Sequence, residues 1–349
     1  MVTSTSPMST FLVYDMRRDT IGRLNAEMEK ASIELSTGRH ADIFEAAGSK
    51  SSRAFDIRGD LMRIEGFLVS NRLVEGRLEA TRETLSLIRE IAQDFLTLAA
   101  PSSGGPSATT GALQDDARRA FDRIADLSNT SYGGSRLLSG VASDQPALSG
   151  WAEQVAGTSP AAVVAGVLGA GLSNAGDAEM KADALDDIFA DSVGLNGFSD
   201  VFYGGSAQGG PKLSAQVDTG MQLNYGVQAD DEGFRDLMQG LAMFAAVDVS
   251  GIEDDAAYAA WIDRAVEKVS DGVSGILNLE VKTGSDQQQL ASTISRQEGR
   301  RNLLEAERSN IEGVDPYDAA LRLSELEARL EATYTVTARL RNLSFLNYI

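Results

Sequence analysis

Apolar residues return at alternating steps of three and four at both ends of this 349-residue chain. Near the start the series is Ile21, Leu24, Met28, Ala31 and Leu35. Near the end it is Ala319, Leu323, Leu326, Leu330, Thr333, Thr337 and Leu340. That spacing holds one narrow stripe on a single helix face, the pattern of a coiled-coil seam rather than of a compact core. Such a stripe needs a partner helix, either at the other end of the chain or on another molecule. The pattern predicts a rod with an inserted head, made to assemble.

The same rhythm runs through a much longer helix expected over 51–99, with Ile57, Leu61, Ile64, Leu68, Asn71, Leu78, Leu85, Ile88, Ala92, Phe95 and Ala99 on its stripe. At 1.5 Å per residue it would reach about 70 Å, the length of a bundle rod. Pro101 and Pro106 around a Gly pair end it. A third helix is expected over 112–129, closed by the turn signal Asn129-Thr-Ser-Tyr-Gly-Gly134. Beyond Gly140 the heptad order is lost. Ala161–Leu168 and Ala184–Phe189 predict short helices, and Ser214–Val217 and Met221–Val227 alternate as strands do. Helical pattern resumes with Phe234, Leu237, Met238, Leu241 and Phe244, then over about 254–311, where the polar run Gln287-Gln-Gln289 interrupts the stripe. Asp315-Pro316 opens a last helix, an N-cap followed by Pro in the first turn.

The expected fold class is mainly α: a long antiparallel coiled-coil or helical-bundle rod formed by both chain ends, with a small inserted mixed α/β or β-rich head. Three domains are expected. Residues 1–48 with 315–349 form a terminal coiled-coil core, 49–140 with 232–314 a long helical bundle, and 141–231 the outer head. Palindromic order lets the two ends fold back beside each other.

Charge narrows the partners. The chain carries −20, and residues 141–260 hold three basic residues (Lys181, Lys212, Arg235) against eighteen acidic ones, a net of −15. An acidic head repels nucleic-acid phosphates and anionic membrane, so neither is an expected partner. No apolar run reaches the ~20 residues of a bilayer span. Met1 to Met8 lack the basic segment and apolar core of a cleavable signal, so export is expected by a route that needs none. Cysteine is absent, which removes disulfides, thiol catalysis and thiolate metal sites.

Glu34-Leu-Ser-Thr-Gly-Arg39, after a heptad helix, resembles a region shared by flagellins and flagellar hook-filament junction proteins. Residues 70–88 are similar to the long helix that follows it there, and Asn129–Gly140 to the turn before the variable outer domain. Tyr225–Met238 resembles the return to the core, and Leu343-Ser-Phe-Leu-Asn-Tyr-Ile349 is similar to the tail of the junction proteins rather than of flagellins. In order along the chain these motifs cover about 1–140 and 225–349. Two departures stand out: Ile43-Phe-Glu-Ala-Ala-Gly48 replaces an Asp-Asp-Pro or Asp-Asp-Ala segment, and Met1–Pro7 extends the usual start.

The resemblance implies a secreted, extracellular structural component of the bacterial flagellum, set at the hook-filament junction. It implies self-association into a ring, contact with the adjacent junction protein (hook-associated protein 1) and with flagellin, and a cytoplasmic export chaperone. The seam residues expected to carry assembly are Ile21, Leu24, Met28, Leu35, Leu323, Leu326, Leu330, Leu340, Leu343 and Phe345. A flagellin is the alternative in the same class. A receptor-like helical hairpin signalling from the 141–231 head is the alternative in another class, opposed by the lack of a span.

No motif favours an enzyme, and no catalytic residue, cofactor or metal is expected. His40 is the sole histidine, and beside a helix end it reads as a solvated or capping residue. Asp186-Asp187 and Asp230-Asp231 fit no EF-hand spacing and read as solvated surface. Gly166, Gly169 and Gly171 do not form G-x-G-x-x-G. Trp151 and Trp261 are expected to anchor cores.

Overall fold

In the computed structural model, residues 10–105, 110–207 and 209–346 are described, with side chains near the termini from 15 to 339. Nine α-helices appear among them: α1 (Thr10–Thr37), α2 (Ile43–Ala47), α3 (Ser51–Ala99), α4 (Leu113–Ser128), α5 (Pro160–Leu168), α6 (Ala175–Phe189), α7 (Glu232–Ala246), α8 (Asp255–Glu312) and α9 (Pro316–Leu346). Two small antiparallel sheets accompany them, β1 (Ser131–Tyr132) with β2 (Ser135–Arg136), and β3 (Ser214–Asp218) with β4 (Met221–Asn224). The chain divides into two compact units, one of residues 1–66 and 296–349, the other of residues 67–295.

Helix boundaries follow local chemistry. Ser159 and Asn174 cap α5 and α6 by accepting from Ala162 N (3.2 Å) and Asp177 N (3.0 Å). Asp254 accepts from Ala257 N at 2.7 Å to open α8, and Asp315 accepts from Tyr317 N at 2.8 Å ahead of Pro316 to open α9. The two-residue hairpin between β1 and β2 turns on Gly133 (φ +59°) and Gly134 (φ +83°), a backbone that other residues adopt only at a cost.

The unit of residues 67–295 holds a continuous core drawn from α3, α4, α5, α6, α7 and α8. Trp261 is fully buried and donates from Nε1 to Met243 O at 3.2 Å; Trp151 is buried edge-on to Phe121, with centroids 5.3 Å apart. Helix α7 is buried on nearly every side. Glycines bring it against α8: a Cβ on Gly240 would stand 2.7 Å from Val269 N, and one on Gly233 2.7 Å from Gly275 Cα. Phe189, Phe198 and Phe202 form an aromatic cluster around a π-helical turn at Phe198–Phe202. The expected head therefore shares one core with helices α3, α7 and α8 rather than owning a separate one. The strand pair β3–β4 sits in a smaller cluster with Val74, Leu78 and Leu290, tied by Asn71 Nδ2 donating to Val217 O at 2.9 Å.

The connector between α1 and α3 contains α2, capped by Asp42, whose carboxylate accepts from Glu45 N at 3.1 Å. Two expectations change. The polar seam positions of α8 are Thr283, Thr293 and Gln297, not Gln287–Gln289. Both Thr hydroxyls donate back to the carbonyl four residues earlier. Of the two acidic pairs only Asp187 is solvated surface as expected. Asp230 is 7% exposed, and Asp186 accepts from Gln239, Arg264 and Lys268, binding α6 to α7 and α8.

Candidate assembly surface

In the unit of residues 1–66 and 296–349, α1 packs along α9. On α9 the seam-facing positions alternate as the heptad spacing requires: Ala319 and Leu326 are buried, and Leu323, Leu330, Thr333 and Thr337 are half-buried. On α1, Ala31 is buried and Ile21, Leu24 and Met28 are half-buried. Leu35 departs from this, remaining 37% exposed while Glu34 turns inward. Leu340, Leu343 and Phe345 lie outside the described side chains.

Glu34 explains the exchange. Its carboxylate accepts from Ala41 N at 3.2 Å, meets His40 Nδ1 at 3.3 Å and lies 3.3 Å from the Arg322 guanidinium of α9. One buried carboxylate thus ties α1, the turn after it and α9. Unlike a leucine, it satisfies the amide exposed where α1 ends. Gly38 (φ +67°) reverses the chain there, and Arg39 bridges Gly313. His40 N donates to Glu312 O at 2.8 Å and Val314 N to Gly38 O at 3.0 Å.

Helices α3 and α8 brace this clasp. Glu312, its side chain 1% exposed, accepts from Arg58 Nε at 2.7 Å, and that hydrogen bond raises the Arg58 pKa. Arg53 forks onto both oxygens of Glu307 at 2.8 Å. Sequence reasoning missed these polar ties. The visible signal was Glu34 itself, an acid three residues beyond Ala31 in the seam rhythm.

Among the charged residues of its surface, the unit leaves several large apolar side chains uncovered. Met16, Ile33, Phe44, Phe55, Met62, Leu303, Tyr317, Leu321, Tyr334 and Val336 are all exposed. On α9 the exposed Tyr317 and Leu321 occupy the face opposite Ala319 and Leu326. A helix with apolar residues on opposite faces is suited to more than one neighbour. The His40 ring meets the Glu34 carboxylate. Among the described residues no group of three or more His, Cys, Asp or Glu is arranged to hold a metal, and no helix is long and apolar enough to cross a membrane.

Paired terminal helices with apolar side chains left exposed are the kind of surface a structural protein offers to neighbours. Residues 8–143 match the bacterial flagellin N-terminal helical region, and residues 261–349 match the bacterial flagellin C-terminal helical region. The chain belongs to the flagellin family, whose members are exported structural parts of the bacterial flagellum that self-assemble and join other flagellar components. A search of curated proteins returns no match. Among solved structures, a putative flagellar hook-associated protein from Vibrio parahaemolyticus is similar in fold, with a TM-score of 0.52 and 10% identity over 76% of this chain and 99% of that one. The FlgL structure of Bacillus cereus aligns at a TM-score of 0.49, with 10% identity, over 74% of this chain and 100% of that one.

Proposed function

We propose that this chain is the hook-filament junction protein of its flagellum, the counterpart of hook-associated protein 3. It would stack as a ring between the adjacent junction protein, hook-associated protein 1, and the flagellin filament. The observation that carries the reading is the incompleteness of the α1–α9 pair, whose seam is largely half-buried and which leaves Met16, Ile33, Tyr317, Leu321, Tyr334 and Val336 exposed among charged residues. The tail Leu343–Ile349 favours the junction protein over a flagellin.

In this reading Ile21, Leu24, Met28 and Leu35 face Leu323, Leu326, Leu330 and Leu340 within a tubular core, with Leu343 and Phe345 continuing the seam. Residues 1–48 with 315–349 are the assembly core, 49–140 with 232–314 the layer around it, and 141–231 the outward part. End helices of low intrinsic stability suit passage through a narrow export channel, since they order on docking. A cytoplasmic chaperone would cover them before export, and neither nucleic acid nor membrane is a partner.

Deletion of the gene tests this. Cells should complete hooks but shed flagellin into the medium, and re-expression should restore attached filaments. Filaments that remain attached in the deletion strain would refute it. The flagellin alternative predicts instead that purified chain elongates filament fragments.

A further inference from the structure

Within the unit of residues 67–295, α3 and α8 enclose an open groove of about 1290 Å³. Its α8 wall carries Leu277, Val281, Gly284, Gln288 and Ala291, steps of four and three that repeat the seam rhythm on a solvent-facing side. Val281 is 65% exposed, and nothing lies within 4 Å of where a Gly284 Cβ would be. Fourteen residue steps make this wall about 21 Å long, two heptads, so it fits a helix.

The α3 wall is charged. Glu75, Glu79 and Glu83 stand at four-residue steps, in line along the helix. With Glu280 the groove has four carboxylates to two guanidiniums, Arg72 and Arg82. Glu280 is held by Arg89 at 2.9 Å, so the acidic side of the groove is the α3 row, with Arg72 and Arg82 interleaved along it. The occupant should be a helix with an apolar knob beside cations at a four-residue step.

The chain itself carries one. On α8, in the unit of residues 1–66 and 296–349, Leu303 is 75% exposed, flanked by Gly299 and Ala306 on the same face. Arg296 and Arg300, four residues apart, border that face. Arg300 meets Asp60 only at 3.6 Å, with 61% of its side chain exposed. We propose that the groove of one copy receives the 296–306 ridge of a second copy, Leu303 entering beside Val281 and Gly284, and Arg296 and Arg300 facing Glu79 and Glu83. Groove and ridge are different patches, so the contact is head-to-tail and continues into a ring or a helical array. At a net charge of −20, copies repel on average, which makes a local basic ridge the place where they can meet. The inference rests on the assembling role proposed above and adds the surfaces that meet.

The absence of cysteine makes the test clean. Full-length Val281→Cys and Leu303→Cys chains, one carrying a size tag, are mixed in equal amounts and oxidised at low salt. Mixed dimers should exceed either like pair by about fivefold over random pairing, since a disulfide forms only between Cβ atoms brought close together. Glu79→Arg with Glu83→Arg in the first chain should abolish the excess, and Arg296→Glu with Arg300→Glu in the second should restore it. Random proportions, an excess of like pairs, or indifference to the charge swap would each overturn the proposal. So would loss of the first variant from flagella without mixed crosslinks, because the groove would then hold a different protein. The gene-deletion phenotype is independent: shed filaments with no mixed crosslink sink only the groove, whereas filaments that stay attached sink the junction role.

Discussion

The two units of this chain solve the same problem, burying one face of a long helix, by different means. In residues 67–295, Trp261, Phe244, Phe234 and Phe121 are fully buried, and glycines let α7 and α8 touch backbone to backbone. In residues 1–66 and 296–349 the α1–α9 seam is built from Ala, Leu and Thr and is largely half-buried, held at one end by the Glu34 and Glu312 clasps. Aromatic burial and close packing give the first unit its own cohesion. Ion pairs and a narrow seam give the second a defined pairing with little apolar burial. The contrast teaches that a chain can be finished in one half and left open in the other.

Amide exchange should separate the halves most strongly. In the isolated monomer, amides of 10–36 and 318–345 should exchange about a thousandfold faster than those of α7 and of residues 257–276, because frayed helices open locally whereas core helices open with the whole unit. Equal protection would erase the contrast, and with it the idea that the ends are unfinished. Truncation of buried side chains should follow the same divide. Phe244→Ala should cost about 4 kcal/mol in chemical denaturation, as large-to-small changes in a closed core do. Leu326→Ala in the same monomer should cost only about 1 kcal/mol, since an open seam relaxes around the deletion. The backbone contact offers a sharper probe: Gly240→Ala should cost about 2 kcal/mol despite its better helix propensity, because the new methyl meets Val269 N and Ala265 O of α8. An unchanged melting temperature would show that α7 and α8 can part without loss.

Much of this was legible in the chain. The heptad stripes placed α1, α3, α8 and α9, because a seam spacing sustained over many turns has few readings. Short Gly-bounded runs placed α5, the last six residues of α6 and the β3–β4 pair. Burial along α9, from Ala319 to Thr337, follows the same spacing. The Glu34 and Glu312 ties were not, since an acid in a helix normally reads as solvated and only tertiary contacts reveal a buried one. Nor was the common core of the 141–231 segment with α3, α7 and α8, which depends on contacts far apart in sequence. Gly233, Gly240, Gly272 and Gly275 carried a hint of it, as glycines in helix interiors that propensity alone would not place.

Asp230 tests the closed half from inside. It is buried beside Asp231, whose carboxylate holds Lys212 at 3.0 Å, and burial, followed by the charge of Asp231, pushes the Asp230 pKa up to about 6. A carboxyl with a pKa higher in the folded than in the unfolded state binds its proton more tightly when folded. Stability from this group is therefore complete below about pH 4 and falls as pH rises through about 6, after which the ionised form carries a constant cost. Asp230→Asn removes that cost and should stabilise the chain by about 2 kcal/mol at pH 7, with little effect at pH 4. The gain should appear in the unfolding of residues 67–295 and leave the exchange of α1 and α9 unchanged. A gain that spread equally to the terminal helices would mean that they unfold with the core, and that the open half is stabilised by the closed one.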